Sequence, residues 1–259
     1  MLFQQKHNFR YKVEKKIIKP LKVALVCIAK NEDNTIAEWI NYNKKLGFTK
    51  IFMYENDWNC PVDDHILKKI KISGKNKQVH AYNHWLAKYK YNYDYAAFFD
   101  CDEFIVLKQH NNIIDFMTRF QNKYGMCINW CLFGSMGQLE AGKNKNSLLK
   151  RFTFRDKKPD KCIKTILNTK RETYFIHPHH SITPTMDTDG NIVHGPFNPK
   201  GKTNYVQLNH YFHKSFEEWK NRIERGQPTK LVRKLQSWEE RKNRHNEVQD
   251  LQALNWFYK

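Results

Sequence analysis

The sequence contains no run of the ~18 or more apolar residues that a helix needs to cross a bilayer, which excludes a helical membrane span. Its basic opening, Met1 to Pro20, has no apolar stretch of the kind found in secretion signals, so a cytoplasmic location is expected. None of the six cysteines (Cys27, Cys60, Cys101, Cys127, Cys131 and Cys162) forms a CxxC pair, and their wide spacing does not suit a disulfide-stapled scaffold. Cys127 and Cys131 are four apart, a spacing that serves a metal on a helix, but Met126 to Leu132 reads as a strand. Ordinary buried thiols in a reducing compartment are the expectation. Walker A, zinc-finger and RNP-like patterns are absent. There is also no internal repeat and no low-complexity linker.

Acids are in short supply: 26 Asp and Glu against 45 Lys and Arg leave a net charge of +19. The excess is uneven. Residues 1–22 hold seven bases and one acid, residues 143–171 eleven and two, whereas Asp94 to Glu103 carries four acids and no base. A basic chain with one acidic spot fits nucleic acid, a membrane surface or a phosphate-bearing substrate. A merely solvated basic surface is the alternative account of the charge. With 259 residues, 40% of them hydrophobic, the chain can build one α/β domain with a real core.

What is present is an alternation of apolar runs and helical patterns. Val23 to Ile28 reads as a strand buried on both faces, and Ile36, Trp39, Ile40 and Leu46 recur at helical spacing before Gly47. Ile51 to Tyr54 gives a second strand, Gln78 to Ala81 a short third leading into a helix through Tyr89, and Tyr95 to Phe99 a fourth. Trp85, Tyr89, Tyr91, Tyr93 and Tyr95, with Lys88 and Lys90 between them, can stack bases or sugars, though packing is the commoner role of such a stretch. The pattern predicts a mostly parallel sheet with helices on both faces, which binds ligands at the carboxyl ends of its strands. Polar clusters sit at those ends: Lys30-Asn31-Glu32, Glu55-Asn56-Asp57 and Asp100-Cys101-Asp102. Met126 to Phe133 and Arg151 to Phe154 also read as strands, and residues 155–206 as long loops. Ser215 and Glu218 form a capping-box pair opening a helix that Gly226 and Pro228 end. Thr229 to Lys259 reads as one basic amphipathic helix closing on Trp256-Phe257-Tyr258.

Asp100 and Asp102 carry the strongest chemical signal. Two carboxylates one residue apart at a strand end can hold a hard divalent cation against a diphosphate. His177, His179 and His180 cluster, and among them His180 is a candidate metal or phosphate contact. Lys161 and Lys164, read as alternating on a strand, could both face a diphosphate. A carboxylate general base would complete such a site. Glu140, Asp187, Asp189 and Glu217 are available, and Glu140 is preferred because it follows the Phe133-Gly134-Ser135 turn.

Val26 to Glu32, Glu38-Trp39, Tyr54 to Asp57 and Phe99 to Phe104 together resemble the GT-A glycosyltransferases of the family 2/family 92 type. Phe133-Gly134-Ser135, Lys161 to Lys164, His179-His180 and Asn209 to Ser215 continue the resemblance in the same order, across about residues 22–226. It implies a GT-A domain at 22–226, a Rossmann-like nucleotide-sugar fold with a mostly parallel central sheet flanked by helices. A basic extension (1–21) and a basic helix (227–259) would lie outside it. It further implies Mn2+ or Mg2+ and a nucleotide-sugar donor, UDP-galactose being the family's habit. The acceptor would be a glycan or glycolipid of the cell-surface or lipopolysaccharide type. Position by position, the donor loop falls on Ala29, Asn31 and Glu32, and the second-strand acid on Asp57 or Glu55. The metal motif falls on Asp100 and Asp102, and the Asn-His-Tyr segment brings His210 to the metal or phosphates.

A nucleic-acid-binding protein would explain the charge, but not acids at successive strand ends. A metal-dependent nuclease or phosphotransferase also uses paired acids and stays in competition. The glycosyltransferase reading expects no nucleic-acid partner. The basic ends predict peripheral contact with the inner, anionic face of a membrane.

Overall fold

The computed structural model describes residues 19–224 and 236–259. Strand β1 (Val23–Ala29), almost wholly buried, lies at the centre of the first half. Helix α1 (Ile36–Lys45) turns Ile36, Trp39 and Ile40 inward, as their spacing predicts, and the chain leaves it through Gly47 at φ 92°. Then come β2 (Lys50–Asn56), β3 (Leu67–Ile72), α2 (Gln78–Tyr89) and β4 (Tyr95–Phe98). Strand β1 pairs in parallel with β2 and β4, and β2 in parallel with β3. This is the parallel block expected from the sequence.

One strand lies elsewhere than expected. Gln78 to Ala81 is the first turn of α2, which buries Gln78, Ala81, Tyr82, Trp85 and Leu86 along one face. The third strand comes earlier, at β3, on the edge of the sheet, where its lysines reach solvent and blunt the open edge.

The second half is more ordered than its loop-like composition suggests. It contains β5 (Glu103–Leu107), α3 (Ile113–Arg119), β6 (Gly125–Leu132), α4 (Leu148–Arg151), β7 (Phe154–Arg155) and β8 (Ile163–Asn168). The short strands β9 (Phe175–His177), β10 (His180–Ser181), β11 (Thr185–Met186) and β12 (Ile192–Val193) precede β13 (Val206–His210). The large sheet runs β12-β11-β6-β8-β4-β1-β2-β3, with β13 joining β5 to β6. Strand β8 lies antiparallel between β4 and β6, so residues 155–206 are not simply loops but supply a central strand. The strand expected at Arg151–Phe154 is divided between the end of α4 and the start of β7.

Helix α5 (Phe216–Glu224) opens with the expected capping box: Ser215 donates its backbone N–H and its hydroxyl to Glu218 Oε2 at 3.0 and 2.8 Å. Gly226 and Pro228, its expected terminators, lie outside the described residues. The single helix expected from Thr229 onward is not what the described tail forms. It consists of α6 (Gln236–Glu239), β14 (Val248–Gln249) paired with β7, and α7 (Gln252–Tyr258). Trp256 and Phe257 pack on Tyr42 at ring separations of 4.9 and 5.5 Å, which withdraws them from the interfacial role that their exposure would have allowed. No helix among the described residues is long and apolar enough to cross a membrane.

Candidate active site

Because β1, β2 and β4 are parallel neighbours, their carboxyl ends open on one edge of the sheet, where such sheets place ligands. Strand β13 ends there as well: His210 is registered against Glu103, and Tyr211 donates its backbone N–H to the Asp102 carbonyl at 3.0 Å. The acidic motif and the Asn-His-Tyr segment therefore meet through sheet pairing.

The two motif carboxylates face different partners. Asp100 Oδ1 accepts from Gln78 Nε2 at 2.6 Å and lies 2.9 Å from Lys164 Nζ, while its backbone N–H donates to Glu103 Oε2 at 2.9 Å. Lys164 and Glu103 are both buried, with 3.8 Å between Nζ and Oε1. Burial pushes the Glu103 carboxyl well above the usual range, against the pull of Lys164. Asp102 accepts from Arg222 Nη2 at 2.9 Å, and its other oxygen is 3.7 Å from His210 Nε2. Burial disfavours its charge, but the surrounding His210, Arg222 and Lys214 outweigh it and hold Asp102 well below the ordinary carboxylate range. Burial also lowers His210, to about 4. Near neutral pH the imidazole is therefore neutral, and Arg222 supplies the charge that Asp102 meets. His210 Nδ1 is buried without a hydrogen-bond partner, and its ring packs on Trp130 at 4.2 Å.

Around this pair the loops are held in left-handed turns. Asn31, Asp57 and Lys214 have φ of 52°, 49° and 50°, a conformation that non-glycine residues adopt only when their surroundings impose it. Lys214 Nζ meets Glu32 at 3.1 Å and Lys30 meets Asp57 at 3.5 Å, so ion pairs tie these turns together. Ala29 is buried at the end of β1. The Gly74 N–H bonded to Asp57, followed by Ser73 and Lys30, lowers that carboxyl's pKa. Glu55 is buried and turned away, accepting from Cys60 N at 2.7 Å and pairing with Lys71 at 2.5 Å. Of the two second-strand acids, Asp57 is the exposed one.

Lys161 and Lys164 do not act as a pair. Three residues apart, they cannot share a strand face. Lys164 lies beneath Asp100, whereas Lys161 precedes β8 and sits exposed over the Phe197 ring at 5.1 Å. In the histidine cluster, His179 packs on Trp130 at 4.8 Å, and burial, reinforced by Lys164, lowers its pKa to about 3. His180 is half-buried, registered against His177 in the β9–β10 ribbon. His213 is wedged against His245 and Trp219, at 4.9 and 6.0 Å, in a packing role.

Two adjoining cavities lie along α5. One, of about 500 Å3, is lined by Asn31, Glu32, Lys214 and Arg222. The other, of about 790 Å3, is lined by Leu139, Glu140, Phe216 and Glu217, and shares Asn34, Glu218 and Asn221 with the first. Glu140 is exposed in this wall. Asp187 is instead committed to its own loop, accepting from the backbone N–H groups of Asp189 and Asn191. Asp189 pairs with Lys202 at 2.6 Å.

Sequence reasoning missed Gln78, Glu103, Trp130 and Arg222. Arg222 had a signal: it lies three residues after Trp219, on the inner side of α5. Glu103 stood in the acidic run without a role. Among the described residues no three His, Cys, Asp or Glu side chains gather as a metal-ready group. Asp102 and His210 remain a facing pair.

No curated protein sequence matches the chain. Among solved structures, the protein A197 from STIV is 9% identical, with 70% of this chain and 97% of that one covered at a TM-score of 0.29, a likeness too slight to bear on the fold. The family model described as glycosyltransferase family 92 matches residues 22–248, past the boundary expected at 226, and the chain belongs to that family of sugar-transferring enzymes.

Proposed function

We propose that the chain transfers a sugar, with galactose from UDP-galactose as first choice, to a cell-surface glycan or lipopolysaccharide-type acceptor at a GT-A type site using Mn2+ or Mg2+. The observation that carries this reading is the approach of Asp102 and His210, remote in sequence and 3.7 Å apart. A carboxylate oxygen suits such hard divalent ions, and a neutral imidazole nitrogen beside it can fill a further position without adding negative charge near the phosphates. At that separation the two are beyond hydrogen-bond range, so Asp102 does not hold Nε2 in its N–H form by accepting from it. Asp102 and His210 would hold the ion, with Asp100 beside them, and substrate oxygens would complete its shell. When bound, the ion supplies positive charge against the leaving diphosphate.

The remaining roles belong to the chain's own groups. The loop from Ala29 through Asn31 and Glu32, with Asp57 at the neighbouring strand end, orients the nucleotide. Lys164 fixes Asp100, and Lys214 and Arg222 offset negative charge near the diphosphate. Glu140, in the wall of the larger cavity, takes the proton from the acceptor hydroxyl as its oxygen bonds to the anomeric carbon and the nucleoside diphosphate departs. Glu217, whose Oε2 accepts from Ala141 N at 3.2 Å, lines the same wall and is the rival base. Action at the cytoplasmic side of a membrane suits a glycolipid acceptor.

The test is nucleoside diphosphate release from a panel of UDP-sugars with Mn2+ or Mg2+, with and without acceptor glycans. Release that depends on UDP-galactose and on the ion supports the reading. Activity undiminished by chelator, or no UDP release from any donor, overturns its metal or its donor part respectively.

A further inference from the structure

The ribbon formed by β9 and β10 has two unlike faces. Its strands are antiparallel, with Ser181 registered against Phe175 and Ile182 N donating to the Tyr174 carbonyl at 3.0 Å. Alternate residues of a strand share a face. Phe175 and Ser181 point inward and are buried, Phe175 packing on Phe98 at 4.6 Å and Tyr82 at 5.0 Å. Tyr174, Ile176 and Ile182 face outward and are 53%, 57% and 48% exposed. Tyr91, 77% exposed in the turn after α2, lies beside the chain that enters β9, its hydroxyl donating to Glu172 at 3.2 Å. Tyr174 and two isoleucines on a ribbon whose inner face is already satisfied, with Tyr91 nearby, form an outward apolar patch of the kind that marks an interaction surface.

The surroundings select among partners. The chain leading into β9 carries Lys170, 3.9 Å from Asp94, Arg171, stacked on Tyr124, and Glu172, paired with Lys90, while Lys88 stands exposed at the end of α2. Bases outnumber acids there four to two, in a molecule of net charge +19. Apolar residues in a segment where bases outnumber acids, with tyrosines whose rings are apolar and whose hydroxyls are polar, match a lipid surface with anionic headgroups. The ribbon's position adds a reason for such contact. Its tip carries His177 and His179, and His179 packs on Trp130, which packs on His210. A membrane held against the outer face would bring lipid-borne hydroxyls to the mouth of the cleft.

We infer that the β9–β10 ribbon, with Tyr91, docks the enzyme on an anionic lipid surface. The contact is made by a structured element beside the site, not by Trp256 and Phe257, which are spent on Tyr42. The inference does not depend on the donor sugar or on the metal.

The experiment is flotation of the full chain with vesicles of phosphatidylcholine alone or mixed with phosphatidylglycerol, comparing wild type with Ile176→Ser/Ile182→Ser and, separately, Tyr174→Ser. Wild type is expected to float with the mixed vesicles and not with phosphatidylcholine alone. The double variant should lose several-fold of that recovery, with its melting temperature and its UDP release on a soluble acceptor unchanged. Tyr174→Ser should lose part of it. Recovery of the double variant equal to wild type would overturn the inference, because the charge of the chain would then suffice. So would a wild type that floats with neither vesicle. A wild type that elutes as a dimer, while the double variant elutes as a monomer, would assign the patch to a second copy of the chain instead.

Discussion

Asp100 and Asp102, separated by one residue, are held by different cations: Lys164 at 2.9 Å from the first and Arg222 at 2.9 Å from the second. Sequence spacing placed the pair; only the fold decided that they diverge. Asp102→Asn keeps a hydrogen-bond acceptor for Arg222 but removes an anionic oxygen. Transfer is expected to fall on the order of 100-fold, with the fold kept but the melting temperature lowered, because Arg222 loses its buried counter-charge. His210→Ala should raise the Mn2+ concentration needed for half-maximal transfer, whereas His213→Ala, which removes a ring packed on Trp219 and His245, should lower stability and leave that concentration alone. The reverse pattern would exchange their roles. At Glu218 the prediction concerns pH. Burial alone would raise its pKa, but bidentate bonds from Arg151, both at 2.7 Å, with Lys214 nearby, bring it down to about 2 from 4.5. A depressed carboxyl stabilises the fold above its unfolded pKa, here by about 3 kcal/mol. That contribution is lost as the pH falls from 4.5 towards 2. Glu218→Gln should therefore cost about 3 kcal/mol in urea unfolding at neutral pH, and its deficit should shrink steadily below pH 4.5.

At the scale of elements, strand pairing brings the site together. Strand β13 carries His210 to Glu103 because it pairs with β5 on one side and β6 on the other, and β8 brings Lys164 under Asp100 because it pairs with β4 and β6. The start of β6 depends on Gly125, whose φ is 91° and where a Cβ would lie 2.3 Å from the Ile166 carbonyl oxygen. Both the conformation and the close approach require glycine. Gly125→Ala should lower stability by at least about 2 kcal/mol, measured by thermal unfolding. It should also weaken the β6–β8 junction on which Lys164 depends, so activity should fall further than Lys161→Ala would lower it. Helix α4 shows how a motif residue can act through structure. Glu38, part of the motif order that pointed to the family, accepts from Ser147 Oγ at 2.5 Å and Leu148 N at 2.7 Å, and so caps α4. That role was invisible in the sequence because the two segments lie over a hundred residues apart.

For the whole molecule, the chain's end is part of the core. Trp256 and Phe257 pack on Tyr42, Lys45 Nζ donates to the carbonyls of both at 3.0 and 2.9 Å, and Tyr258 donates to Glu38 at 3.1 Å. Removing residues 252–259 should cost on the order of 3 kcal/mol through lost apolar burial. It should lower the melting temperature while leaving vesicle flotation intact, because the lipid contact is assigned to the ribbon. The sequence by itself determined what depends on neighbours along the chain. This covers the buried β1 and β4 runs, the 3.6-residue rhythm of α1, the capping box at Ser215 and Glu218, and the order of motifs that identified the family. Each is a local pattern whose physical cause lies within a few residues. Tertiary structure decided what depends on partners far apart: that β8 is a central strand within a Lys- and Pro-rich region, that Arg222 meets Asp102, that His210 and not His213 faces the acids, and that the C-terminal aromatics are packed. Those outcomes follow from long-range strand pairing and burial, where an ion pair or a ring contact forms only once the whole sheet has set the distance.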